Sequence, residues 1–154
     1  MPNPPIGFQH GITLDQAQRI TNASLEEGRR LSLAPLTVVV LDAAGQMKAM
    51  LKEDGCSLLR PAIAHGKAFG AMGLGFGGRE LARRSQGMPG FMNAFSDLAN
   101  GAAVPVPGGV LIRDQAGAIL GAVGISGDLS DKDELAAVAG IKAAGLTPDT
   151  GDDA

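Results

Sequence analysis

The tetrapeptide DQAG, residues 114–117, separates two apolar runs, GVLIR before it and AILGAVGI after it. A linker that short joins two strands only as a hairpin, because a parallel pair needs a crossover of a dozen or more residues. One antiparallel pair is thereby expected, with strands over 110–113 and 118–125. The same reasoning applies at AAGQ, residues 43–46, between the β-branched run LTVVVLD (36–42) and MKAMLK (47–52). Lys48 and Lys52 alternate with apolar positions there, so one face of this second hairpin is predicted to be in solvent. A fifth strand is predicted over 102–106.

Helix signals surround these hairpins. TLDQ at Thr13 to Gln16 is a capping box, opening a helix over 14–31. Pro61 suits the first turn of a second helix, expected to reach about residue 72. GRELARRS (78–85) reads as a short charged helix, and GMPGFMNAF (87–95) as an irregular connection. SDKDELAAVAGIKAAG (130–145) has acids in its first turn and Gly145 as its stop. Hairpins with packed helices define an α+β class: a five-stranded antiparallel sheet flanked by helices. The 154 residues suit one domain over 12–146, with a Pro-rich lead at 1–11 and a flexible, frayed tail at 147–154.

The net charge of −3, with no Trp or Tyr and only five Phe, argues against a nucleic-acid partner. No apolar run reaches the roughly 20 residues of a membrane span. MPNPPIGFQH lacks the basic and apolar regions of a secretory signal, so the expected location is cytoplasmic. Cys56 is the only cysteine, which excludes an internal disulfide.

GLGFGG, residues 73–78, matches G-x-G-x-x-G. A dinucleotide turn must follow a strand, whereas this one follows the helical HGKAFGAM, so no nucleotide cofactor is expected. Its glycines read instead as a flexible joint that swings the Arg79 to Arg84 segment over a pocket near His65. A second glycine turn, GAVGISGD (121–128), has amides that with Ser126 and Ser130 are placed to hold a carboxylate, opposed by Asp128, Asp131 and Asp133.

Candidates for chemistry are few. On a helix, His65 shares a face with Pro61, Ala62, Phe69 and Met72, while Lys67 points to nearly the opposite side. A histidine on an apolar face is more often a core residue than a ligand. His65 nonetheless leads as a metal ligand, and His65 and Lys67 are the candidate catalytic groups. His10 falls in the lead and is expected to be exposed. Arg79 and Arg83 are suited to clamp carboxylates, haem propionates included. Cys56 precedes a helix start without an evident base, and Glu53-Asp54 reads as a turn.

TLDQAQRITNASLEEGRRL, TVVVLDAAGQMKAML, Lys67-Ala68, VPVPGGVLIRDQAGAILGAVGISG and DKDELAAVAGIKAAG together resemble the GlcG/HbpS-like, or haem-degrading-domain, family over residues 12–146. PGGVLIRD and GAVGISGD are the most specific parts. The resemblance implies a profilin- or PAS-like fold, homo-oligomers, and haem as the candidate cofactor. Lys67 matches the family's Lys-Ala helix position, and Gly124, Ser126 and Gly127 its glycine-serine turn. The chain departs from the pattern over 70–95 and in placing His65 beside Lys67. The expectation is therefore a haem-binding homo-oligomer with a pocket between the second helix, the glycine-rich loop and the sheet. In it His65 is the axial ligand, Arg79 or Arg83 pairs the propionates, and Ser126 joins the cofactor-binding set. The alternative is a cofactor-independent isomerase, lyase or hydrolase of a small organic acid, with Arg79 or Arg83 on the substrate carboxylate and His65 as acid or base.

Overall fold

The computed structural model describes residues 11–152. Five strands form one antiparallel sheet in the order β2-β1-β4-β3-β5: β1 Thr37–Asp42, β2 Met47–Lys52, β3 Gly109–Arg113, β4 Ile119–Ser126 and β5 Thr147–Asp149. Helices α1 (Leu14–Arg30) and α5 (Ser130–Ala143) cover one face. Helix α2 (Arg60–Leu74) covers the other, followed by α3 (Gly78–Gly87) and α4 (Pro89–Leu98).

Strand alternation divides the core between these layers. Val38 and Val40 of β1 point into the cluster with Ile20 of α1 and Ile141 of α5, whereas Val39 and Leu41 point into the cluster with Ala64, Ala68 and Ala71 of α2. Thr13 closes the expected capping box, its hydroxyl accepting from the Gln16 amide and the Gln16 side chain accepting from the Thr13 amide. Helix α2 presents small residues to the sheet and meets glycines there. A Cβ on Gly124 would overlap the Ala64 carbonyl, and one on Gly109 would overlap that of Lys67. Backbone thus packs on backbone, which fixes where the α2 side chains emerge.

Three expectations need correction. Residues 102–106 are not a strand. Pro105 and Pro107 deny a ladder its amides, and the Val104 N–H donates to the Gly66 carbonyl of α2 instead. The fifth strand comes from the stretch expected to fray: β5 pairs with β3, Pro148 opposite Ile112, and the Arg113 guanidinium bonds Asp149 at 2.8 Å. Pro148 is tolerated because this strand is an edge. The connection over 87–95 is largely helical, since Pro89 sits in the first turn of α4, where its missing N–H costs nothing. The edge strand β2 is also more open than the lysine pattern implied, with Met47, Met50 and Leu51 exposed alongside Lys48 and Lys52.

Candidate functional site

The glycine stretch is packed rather than hinged. Gly75 closes α2 with φ +74°, the left-handed conformation a helix stop favours. Gly77 and Gly78 are buried: a Cβ on Gly77 would strike the backbone of Thr150 and Gly151, and one on Gly78 the Val106 carbonyl. The Arg79 N–H donates to the Thr150 carbonyl at 3.0 Å. Thr150 and Gly151 therefore pin the start of α3, which argues against a flexible joint at Gly77 and Gly78, while Gly73 is exposed and Gly75 has open space around it.

That packing commits the arginines. Arg79 bonds Glu134 of α5 at 2.8 Å and lies 3.5 Å from Asp152. Arg83 reaches Glu80 at 2.9 Å, Asp152 at 2.6 Å and the Gly151 carbonyl. A cleft of about 740 Å³ lies beside them, lined by Phe76, Glu80, Arg83, Arg113, Asp149 and Asp152 among others. Its three acids, Glu80, Asp149 and Asp152, outnumber its two arginines, Arg83 and Arg113. His65 and Arg79 line none of the described clefts and Arg83 lines only this one, so the structure does not bring the expected ligand and its expected clamps together in one cleft.

Lys67 and His65 leave α2 in opposite directions, as their two-residue spacing requires. Lys67 is 2% exposed and passes the end of the sheet to Asp133 of α5, 2.9 Å away and fully buried. Gly108 leaves its path open: a Cβ there would stand 2.9 Å from the ammonium. The other Asp133 oxygen accepts from the Asp128 N–H. The glycine-serine turn thus spends its last amide on the protein's own carboxylate Asp133, while the Asp128 carboxylate accepts from the amides of Ala34 and Leu129. These bonds hold the Asp128 carboxyl below its usual range. Burial pushes the Lys67 ammonium down and the Asp133 carboxyl up, each opposed by attraction to the other. Ser126 is fully buried and accepts from Arg60 at 3.1 Å. Lys67 and Ser126 therefore belong to a structural seam and line none of the described clefts.

His65 is half-buried and stacks on Phe69, ring centroids 5.6 Å apart and planes 19° from parallel. Phe69 belongs to two adjoining grooves. One, of about 400 Å³, runs to Phe91, Phe95 and Leu98 of α4. The other, of about 200 Å³, runs past Met72 to Ala43–Gly45 at the β1–β2 turn. Sequence reasoning missed the α4 wall because GMPG looked like a loop. The available signal was Pro89 followed by Met92 and Phe95 at helical spacing. Leu98 and Phe91, both on α4, remain 85% and 52% exposed, unusual for large apolar groups along one wall of a groove. Among the described residues no three His, Cys, Asp or Glu side chains are grouped to hold a metal ion, and no helix is long and apolar enough to cross a membrane. His10 lies outside the described residues.

The domain is three-layered α+β, with a buried ion-paired seam on one flank of α2 and an apolar groove lined by Phe69 on the other. The family model for haem degrading protein HbpS-like matches residues 12–142, and the chain belongs to that family. Among solved structures it is similar to a PduOC:heme complex (23% identity, TM-score 0.80, covering 92% of this chain and 99% of that one). A double mutant of Streptomyces reticuli HbpS is similar at 25% identity and TM-score 0.75, covering 92% and 95%. Klebsiella pneumoniae protein ORFY is similar at 24% identity and TM-score 0.76, covering 94% and 97%. A search of the curated proteins finds no match.

Proposed function

We propose that this chain is a haem-binding protein whose ligand lies in the apolar groove along Phe69, with His65 as the iron ligand. The observation that carries this reading is the imidazole stacked on Phe69, which itself walls an aromatic groove that His65 does not line. Those residues fit the group in kind: Phe69, Phe91, Phe95 and Leu98 offer apolar and aromatic contact, and imidazole is a common axial donor. Bound there, the haem supplies an iron centre, while the side chains orient it and exclude water. Family membership and the likeness to a protein solved with heme support the same ligand. The small-acid enzyme is the weaker reading, because Arg79 and Arg83 are already neutralised by Glu80, Glu134 and Asp152. The proposal includes self-association: Leu58 and Leu129, at 91% and 64% exposed, are positions a second copy would cover.

Titrating haem into the purified protein is expected to give a shifted Soret band. His65→Ala is expected to weaken binding about tenfold or more and change the spectrum, and Leu98→Ser to weaken it less, through lost apolar contact. The absence of a Soret shift in the unsubstituted protein would overturn the reading.

A further inference from the structure

The described residues begin at the mouth of a groove. Gly11 packs on the β1–β2 turn, where a Cβ on it would stand 3.7 Å from that of Ala43. Ala43, Ala44 and Gly45 of that turn line the smaller groove, which runs past Met72 and Gly73 to Phe69. Phe69 and Gly73 also line the wider groove, whose other wall is Phe91, Phe95 and Leu98 of α4. Residues 1–10 are therefore tethered beside a residue of the groove itself. Ile12 enters the core on the α1 side of the sheet, so the segment has only to round the turn to reach the α2 side. Ten residues extend up to about 35 Å, while the α4 wall from Phe91 to Ala99 is about 12 Å long at the helical rise. Reach is not limiting.

The chemistry of the segment matches that of the groove. MPNPPIGFQH holds no Asp, Glu, Lys or Arg, and its Phe8 and Ile6 precede Gly11 by three and five residues. Neither groove along Phe69 has a charged or hydrogen-bonding side chain in its lining, whereas each of the other described clefts has at least two charged ones. A segment without charged side chains enters such a groove without stripping an ion of its water, and its apolar groups gain by leaving solvent. Pro2, Pro4 and Pro5 fix their own φ, so less chain entropy is lost on docking, the property that proline-rich segments use in aromatic-lined grooves. The tether favours this occupant over a second copy, because it holds the segment at an effective concentration on the order of millimolar.

We infer that residues 1–10 fold back around the β1–β2 turn and dock in the groove between α2 and α4, with Phe8 and Ile6 covering Phe69, Phe91 and Leu98. The groove is then closed by the protein's own chain, and a ligand that enters it displaces the segment. This stands apart from the haem reading, whose ligand would compete for the same wall.

The test compares the full chain with Phe8→Ser and with a chain lacking residues 1–10. In the full chain, NOEs are expected from the Phe8 ring to the Leu98 methyls and the Phe91 ring, unchanged on dilution. Hydrogen exchange of the 91–99 amides is expected to speed up about tenfold in both variants, the size of one apolar side chain uncovered. Unchanged exchange in both variants, or no NOE between Phe8 and α4, overturns the inference. So do NOEs that arise only between differently labelled copies, because a second copy is then the occupant. Should the truncated chain fail to fold, Phe8→Ser and the NOEs of the full chain decide alone.

Discussion

The two flanks of α2 are built in opposite ways. Toward α5, the Lys67 ammonium and the Asp133 carboxylate are buried and paired, and the second Asp133 oxygen takes a backbone amide. Toward α4 and the β1–β2 turn, His65, Phe69 and Met72 are half-exposed beside open grooves. A satisfied polar seam is sealed against any ligand because its donors and acceptors are already used. An uncovered apolar flank is the reverse, since surface left in water gains by being covered. The two candidate residues that sequence placed side by side, His65 and Lys67, are thus divided between a half-exposed flank and a sealed one by 200° of helix rotation, about two residues' worth.

The largest way to break this comparison is to open the seam. Lys67→Met leaves Asp133 buried without its cation and is expected to cost about 3–5 kcal/mol in urea denaturation. Lys67→Met combined with Asp133→Leu should recover much of that loss, because neither charge then remains buried alone. The recovery is incomplete, as the Asp128 amide loses its acceptor. Were Lys67→Met to cost less than about 1 kcal/mol, Lys67 would be free for chemistry and the division of the two flanks would fail.

Local features of the fold were legible in the sequence, and long-range ones were not. The capping box at Thr13, the two tight hairpins and the acidic start of α5 each depend on neighbours within a few residues, so their chemistry shows in the string. The opposite directions of His65 and Lys67 followed from helical spacing alone. What Lys67 reaches did not, because Asp133 lies 66 residues away. The acids after the glycine-serine turn were recognised as hostile to an anion, yet it took the fold to show that Asp133 itself fills that role. β5 was unreadable for the same reason: Thr147–Asp149 is extended because β3 and Arg113 hold it there. In the candidate site, His65, Phe69 and Met72 were visible as one face, while the α4 wall was not, because its place against α2 is set by the fold rather than by neighbouring residues.

A smaller effect separates packed glycines from hinged ones. Gly77 has φ −66° and ψ 162°, a conformation any residue adopts, so Gly77→Ala tests contact without backbone strain. Against Thr150 and Gly151 the added methyl is expected to cost about 1–3 kcal/mol, and to lower protection of the 149–152 amides in hydrogen exchange. A flexible joint would instead be stabilised by about 0.4–1 kcal/mol, because alanine narrows the unfolded ensemble. The sign of the change decides between the two without reference to its size.

The smallest effect tests the outer edge of the seam, where satisfaction is incomplete. Glu134 accepts from Arg79 through one oxygen, while the other is buried with no partner. Burial raises its carboxyl above the ordinary 4.5, against the pull of Arg79, with Asp152 and Asp131 adding to the rise. A carboxyl raised in the folded state takes up its proton before the unfolded chain does. Its contribution to stability is therefore complete below pH 4.5 and is lost as pH rises through the folded value. Glu134→Gln keeps the Arg79 acceptor and cannot titrate. On acidification from neutral pH toward 4.5, the unsubstituted protein should gain stability relative to Glu134→Gln, read as the difference between their urea midpoints. Asp133 titrates in both proteins, so its own shift largely cancels from that difference. A flat difference would mean that Arg79 holds Glu134 at its ordinary value and that the seam is satisfied to its edge. A difference that falls on acidification would mean that Arg79 outweighs burial altogether, placing Glu134 with the ordinary ion pairs of the surface rather than with the buried pair beside it.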